Sequence, residues 1–183
     1  MRQAIILSGA GGQGLILAGA ILAEAAGVFE GREVVQTQSY GIQARGGASQ
    51  SSVIISDQRI KFPEVLAPDI LLCLSQEAYQ RYASELLTGG ILIIDQDLVL
   101  PGSERQDISL VALPFTAEAE KLDRRILANV IALGALASIS GAVQVRSLAE
   151  ALPRRLPERN VPLALEALYL GKQLVEERGL VTA

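Results

Sequence analysis

Six residues between an apolar run and a long apolar segment, Gly9-Ala10-Gly11-Gly12-Gln13-Gly14 in "IILSGAGGQGLILAG", have the composition and spacing of an anion-binding turn. Glycines let the backbone turn tightly and approach a ligand closely, and a helix that starts behind them points its free N–H groups outward. The spacing Gly9-x-Gly11-x-x-Gly14 also matches the dinucleotide fingerprint. That fingerprint demands an acid at the end of the following strand, about 20 residues on, to hold the ribose 2′-hydroxyl. Here the following strand ends "VVQTQSYG" and Glu33 stands at its start, so a nicotinamide site of the usual kind is not expected. The phosphate loop of nucleoside triphosphatases is excluded too, because Gln13-Gly14-Leu15 stands where Gly-Lys-Ser/Thr is required.

A second cluster, "TQSYGIQARGGASQS", places Tyr40, Gly41, Arg45, Gly46 and Gly47 just beyond the second strand. If strands one and two are neighbours, both clusters face one crevice at the carboxyl ends of the sheet, where open α/β sheets bind ligands. Backbone N–H groups in such turns form anion nests, and Arg45 can pair with a phosphate or a carboxylate. The plainer alternative is that the glycines only permit turns and Arg45 only bridges to a neighbouring subunit. None of these residues exchanges a proton near neutral pH, so no catalytic residue is assigned and their available role is positioning and charge stabilisation.

The remaining candidates are weaker. Ser75 reads as an N-cap, Asp95 and Asp97 as a solvated loop or a cap rather than a metal site, and Lys121, Arg124 and Arg125 as a solvated face. No metal ligand is assigned. Histidine is absent, which removes His-dependent triads and the commonest general base. The single cysteine, Cys73, reads as buried in a strand; it excludes an internal disulfide, a self-contained iron–sulfur cluster and an all-cysteine zinc site. A net charge of −4 and the absence of Trp argue against nucleic acid.

Positioning these loops requires a scaffold. Short runs rich in Ile, Val and Leu at residues 4–7, 33–36, 70–74, 91–94 and 110–113 alternate with helical segments. Runs apolar on both faces suit a mostly parallel sheet covered by helices on each side, giving an α/β, three-layer, Rossmann-like open sheet. "SSVIISDQRIKF" is expected to form a β-hairpin, with arms at 51–56 and 59–62 about Asp57-Gln58. After Pro114 the chain turns helical. Ser147 with Glu150 reads as a capping box, and Asn160 as an N-cap with Pro162 in the first turn. One domain over residues 1–183 is expected, large enough to bury roughly 70% of its unfolded surface.

Two stretches without charge, residues 3–23 and 126–145, are interrupted by glycines and polar residues and do not read as membrane spans. A cytoplasmic chain is expected. The helix after the first loop is nevertheless apolar all round, and 126–145 repeats this, with Gly134, Ala135, Ala137 and Gly141 as small residues for close helix approach. Two such helices in one small domain lead to the expectation of an obligate complex.

Taken in order, "GAGGQG", "TQSYGIQARGGASQSSVIISD", "APDILLCLSQEAY" and "ANVIALGAL" resemble the gamma subunit of 2-oxoacid:ferredoxin oxidoreductases, with a form nearest the 2-oxoglutarate enzymes. The resemblance runs along nearly the whole chain and is most specific from Gln-Ser-Tyr-Gly to Arg-Gly-Gly. It implies a hetero-oligomer in which alpha and beta subunits, and in some forms a ferredoxin-like subunit, hold thiamine diphosphate and iron–sulfur clusters. This chain would pack on the thiamine-binding subunits and help to form the coenzyme A side of the site. The assembly would convert a 2-oxoacid, coenzyme A and oxidised ferredoxin to acyl-CoA, carbon dioxide and reduced ferredoxin; this chain alone would not be catalytic. Carried over by the motif, Gly9, Gly11, Gly12, Gln13 and Gly14, together with Tyr40, Gly41, Arg45, Gly46 and Gly47, would support coenzyme A or the facing subunit. The alternative function is a stand-alone Rossmann-type oxidoreductase using a flavin or nicotinamide, and a third reading is a scaffold with no ligand.

Overall fold

A computed structural model describes residues 1–40, 49–102 and 105–180. Six strands form one sheet in the order β2-β3-β1-β4-β5-β6. They are β1 (Arg2–Gly9), β2 (Glu33–Tyr40), β3 (Ser49–Ser56), β4 (Ile70–Cys73), β5 (Ile91–Asp95) and β6 (Ser109–Leu113). β1, β4, β5 and β6 pair in parallel, whereas β3 runs antiparallel between β1 and β2. The fully buried runs Ala4 to Leu7 and Ile70 to Cys73 explain the central position of β1 and β4, because a strand buried on both faces must be apolar on both.

Helices cover the two faces unequally. α1 (Leu15–Glu24), α3 (Phe115–Lys121), α4 (Ala128–Ser140), α5 (Val145–Arg155) and α6 (Val161–Glu177) enclose the larger core, while α2 (Gln76–Tyr82) covers a smaller one built on Ile6, Leu71, Cys73 and Ile94. Ser75 caps α2 as expected, accepting a bond from the Ala78 amide, and the Tyr82 hydroxyl donates to Gln50 on β3. Cys73 is fully buried in β4, and burial pushes its thiol pKa far up.

Four expectations need correction. The strand 51–56 exists within β3, but 59–62 forms no strand; the hairpin partner of β3 is β2, reached through residues outside the described set. Asp57 is drawn out of a turn role, since its carboxylate binds the N-terminal amine and Arg32. Strands one and two are not neighbours, because β3 lies between them. Ser147 is not an N-cap: α5 begins earlier, after Gln144, whose amide donates to the Glu30 carboxylate. Asn160 does occupy the cap position of α6, without a side-chain bond to the helix.

The fourth correction concerns the apolar helices as the reason for expecting a complex, not the complex itself. α4 is buried on every side except at Ser138 and Ser140, and this chain itself supplies the cover. α6 crosses α4 at Gly134 and Gly171, where the helix backbones touch: a Cβ on Gly134 would stand 3.0 Å from the Leu168 carbonyl carbon, and one on Gly171 only 2.8 Å from that of Ile131. α1 is pressed onto β3 through Gly19, where a Cβ would come within 2.7 Å of the Ser51 Cβ. At its far end the buried Glu24 carboxylate is clamped by Arg154 and Arg155 of α5. Among the described residues no helix is long and apolar enough to cross a membrane.

Candidate functional site

The first glycine cluster forms the connection from β1 to α1, at the carboxyl end of the parallel strands. Gly12 and Gly14 have φ of 88° and 72°, a left-handed backbone that side chains rarely adopt, so conformation favours glycine at both. Packing requires it again: a Cβ on Gly9 would collide with the Gln13 side chain, and one on Gly14 with the Asn129 amide. Ala10 O accepts from the Gln13 amide at 3.2 Å, closing the turn.

Gln13 holds this loop in place. Its Oε1 accepts from the Ala10 N–H at 2.7 Å and its Nε2 donates to Leu74 O at 2.8 Å, so one side chain ties the loop to itself and to the end of β4. Asn129, at the start of α4, donates from Nδ2 to Gly14 O at 3.1 Å and fixes the first turn of α1. Gly11 and Gly12 are exposed, and nothing lies within 4 Å of where a Gly12 Cβ would be. The loop is therefore anchored from behind and open in front.

The open side faces a cleft of about 410 Å³ lined by Ala10, Gly11, Gly12, Gln13, Thr116 and Arg125, among others. No carboxylate lines it. Thr116 is held there by Asp95: the carboxylate accepts from the Thr116 N–H at 2.8 Å and from its hydroxyl at 2.6 Å, while the other oxygen accepts from the Asp97 N–H at 3.0 Å. Asp95 is fully buried rather than solvated, and it caps the first turn of α3. Asp97 contributes its backbone to that pair and not a second ligand. Among the described residues no cluster of acids and cysteine could hold a metal ion.

The described ends of the second cluster, Tyr40 and Ser49, lie at the sheet edge that carries Gly9, though not by the expected route. Gly9 pairs with Ser49 and Ser49 with Tyr40, so three adjacent strands end together, with Tyr40 roughly 10 Å from Gly9 at the usual strand spacing. The Ser8 hydroxyl donates to Ser49 O at 3.1 Å and fixes that register. Because β3 reverses direction, the link from Tyr40 to Ser49 starts and ends at the edge that carries Gly9. Gly41, Arg45, Gly46 and Gly47 lie in that link, outside the described residues.

This topology also weighs against a nicotinamide site. On one side β1 pairs with the antiparallel β3, and its parallel neighbour β4 ends at Cys73 and leads into Leu74-Ser75, so neither offers a ribose-binding acid at its carboxyl end. Asn129 and Arg125 escape a reading of the loops alone. Asn129 is the one amide at the head of an otherwise apolar helix, which is the signal that could have singled it out.

Residues 4–174 match the pyruvate ferredoxin/flavodoxin oxidoreductase family model. Over 179 residues the chain is 44% identical to the 2-oxoglutarate synthase subunit KorC of Methanocaldococcus jannaschii, covering 97% of this chain and 96% of the relative. The crystal structure of the keto/oxoacid ferredoxin oxidoreductase gamma subunit from Geobacter sulfurreducens superposes with a TM-score of 0.85 at 41% identity, covering 97% of this chain and 98% of that one. The 2-oxoglutarate:ferredoxin oxidoreductase of Magnetococcus marinus, solved with 2-oxoglutarate, coenzyme A and succinyl-CoA bound, shares the fold at a TM-score of 0.87 and 23% identity, over 96% of this chain but 31% of that longer one.

Proposed function

Because this chain belongs to the pyruvate ferredoxin/flavodoxin oxidoreductase family, as a gamma-type subunit of a 2-oxoacid:ferredoxin oxidoreductase, we propose that it completes the coenzyme A side of a 2-oxoglutarate-oxidising complex. The substrate assignment is supported by the Methanocaldococcus relative, a 2-oxoglutarate synthase subunit, and by the Magnetococcus enzyme that binds 2-oxoglutarate and coenzyme A. Thiamine diphosphate and iron–sulfur clusters, held by partner subunits, supply the decarboxylation and electron-transfer chemistry. This chain cannot supply the thiolates of an iron–sulfur cluster, since its one cysteine is buried in β4.

The observation that carries the coenzyme A role is the glycine loop itself. Gly11 and the left-handed Gly12 are exposed beside a cleft lined by no acid and by Arg125, whose guanidinium also pairs with the exposed Glu120 at 3.7 Å. Coenzyme A brings phosphates, and phosphates are stabilised by oriented N–H groups and a guanidinium. Gln13 and Asn129 act one step back: they keep the loop from relaxing, so the donors need no reorganisation when the anion arrives. Arg45 and its flanking glycines, which follow Tyr40 in the sequence, are proposed to support the ligand or the facing subunit. The chain orients coenzyme A; the proton and electron transfers occur on other subunits.

The test is purification of the tagged chain from its native cell extract with its partners. Thiamine-dependent subunits are expected to accompany it, with 2-oxoglutarate-dependent ferredoxin reduction only in the assembly. Arg45→Ala is expected to raise the KM for coenzyme A while the complex stays intact. Turnover by the isolated chain, or a chain that remains solitary in the extract, refutes the subunit reading and favours a stand-alone oxidoreductase.

A further inference from the structure

Beside the glycine-loop cleft lies a second depression, a groove of about 210 Å³ between α1, α6 and the turn before α4. Its apolar walls include Leu17 and Ile21 of α1, Leu163 of α6, and Ile126. Ile126 lines both depressions, so the two share a wall. It is 51% exposed and Leu17 is 36% exposed, so the groove opens apolar side chains to solvent. Small-molecule sites span about 300–1,000 Å³. This groove is smaller than that range and suits the side chains of a polypeptide better than a whole cofactor.

Its charge is one-sided. Arg124 and Arg159 line the groove, both are exposed, and neither has an ion-pair partner among the described residues. No carboxylate lines it, although the chain carries a net charge of −4. An apolar floor beside two unpaired guanidiniums is the pattern of a docking site for an apolar anchor with acidic flanks.

We infer that this groove receives a segment of another subunit of the same enzyme, which inserts large apolar side chains between Leu17, Ile126 and Leu163 and sets carboxylates against Arg124 and Arg159. The inference rests on the reading of this chain as a subunit of a hetero-oligomer. Through the shared wall at Ile126, the inserted segment borders the glycine-loop cleft, so assembly and completion of that cleft go together.

The test compares three double variants in the co-expressed complex. Arg124→Glu/Arg159→Glu is expected to weaken association by about tenfold or more and to make the complex dissociate at lower salt. Leu17→Ser/Ile126→Ser is expected to weaken it comparably, with little change in salt dependence. Arg59→Glu/Lys61→Glu makes the same charge change at the opposite end of the sheet, beside Arg2 and Ser56, and is expected to leave association unchanged. Thermal melts of each isolated variant check that the fold is retained. If wild type assembles and both groove variants bind their partners with wild-type affinity, the inference is overturned while the subunit reading survives. If the groove variants instead abolish self-association of the isolated chain, the occupant is a second copy and the inference is overturned in that direction. If wild-type chain binds no other subunit, the reading beneath it fails.

Discussion

The crossing of α4 and α6 makes a prediction in which two principles disagree about the sign. Gly134 and Gly171 sit inside helices, where replacing glycine by alanine ordinarily stabilises by about 0.8–1 kcal/mol. At this crossing the added methyl has nowhere to go. On Gly134 it would overlap the Leu168 carbonyl oxygen and lie 3.3 Å from the Lys172 nitrogen; on Gly171 it would overlap the Ile131 oxygen and lie 2.9 Å from the Ala135 nitrogen. These obstacles are helix backbone, so no side-chain rotation relieves them and the two helices must separate by more than an ångström. Overpacking of this kind costs about 1–3 kcal/mol, and a backbone obstacle puts the cost at the upper end. After the propensity gain, each single variant should lose about 1–2 kcal/mol, which for a domain of this size lowers Tm by about 2–8 °C. The double variant should lose less than the sum, because one separation accommodates both methyls. Thermal and urea denaturation of Gly134→Ala, Gly171→Ala and the pair measure this directly. The displacement should also reach the site, since Asn129 on α4 holds Gly14, and hydrogen exchange in the first turn of α1 should quicken. A rise in Tm for either single variant would refute the close crossing and the burial of α4 argued from it.

Other consequences are narrower. Gln13→Ala removes two bonds worth about 1 kcal/mol each, so the amides from Ala10 to Gly14 should exchange up to about thirtyfold faster, with Gln13→Glu intermediate; unchanged exchange would mean that Gln13 does not hold the loop. Asp95→Ala leaves three donors without their carboxylate and should cost about 3 kcal/mol or more in urea denaturation, and added divalent metal should not shift the Tm of the wild type; a metal-dependent rise would restore a ligand role to Asp95. Burial raises the Cys73 thiol pKa in the folded state above its unfolded value, so the unfolded chain gives up that proton first. The associated stability is intact below about pH 8.5 and declines as pH rises beyond it. Native protein at pH 8 should therefore resist thiol alkylation until it unfolds, and rapid labelling of folded protein would contradict the burial.

The legible parts of this sequence are those where local pattern and tertiary environment agree. β4 and β5 were readable to within a residue because apolar side chains on both faces admit few alternatives, and the Gly9 to Gly14 turn was readable because φ above zero selects glycine. The apolar run 33–36 understates β2: Thr37, Gln38 and Ser39 are polar because they lie exposed on an edge strand, not because the strand has ended. The order of strands is invisible to periodicity, so the insertion of β3 between β1 and β2 could not be read. Ser147 matched a capping box, yet a carboxylate 114 positions away, on Glu30, settles where α5 begins. Local pattern marks Gly134 as a contact residue but not its partner Gly171, and without that partner the apolar α4 resembles an interface with another chain. The site follows the same division. Its glycines were local signals, whereas Asn129 and Arg125 reach it only through the packing of the helical layer.

The central claim is that the open turn at Gly12 supplies part of an anion site for coenzyme A in the assembled enzyme. Gly12→Asp and Gly12→Asn are the matched perturbations, since both residues tolerate a left-handed backbone, no atom crowds the position, and only one of them adds negative charge. The measurement is the KM for coenzyme A of the reconstituted complex, taken beside the KM for 2-oxoglutarate. The account predicts a KM for coenzyme A raised about tenfold or more by Gly12→Asp, much less by Gly12→Asn, with the 2-oxoglutarate value and assembly unaffected. Equal coenzyme A values for wild type and Gly12→Asp in an intact complex would contradict it.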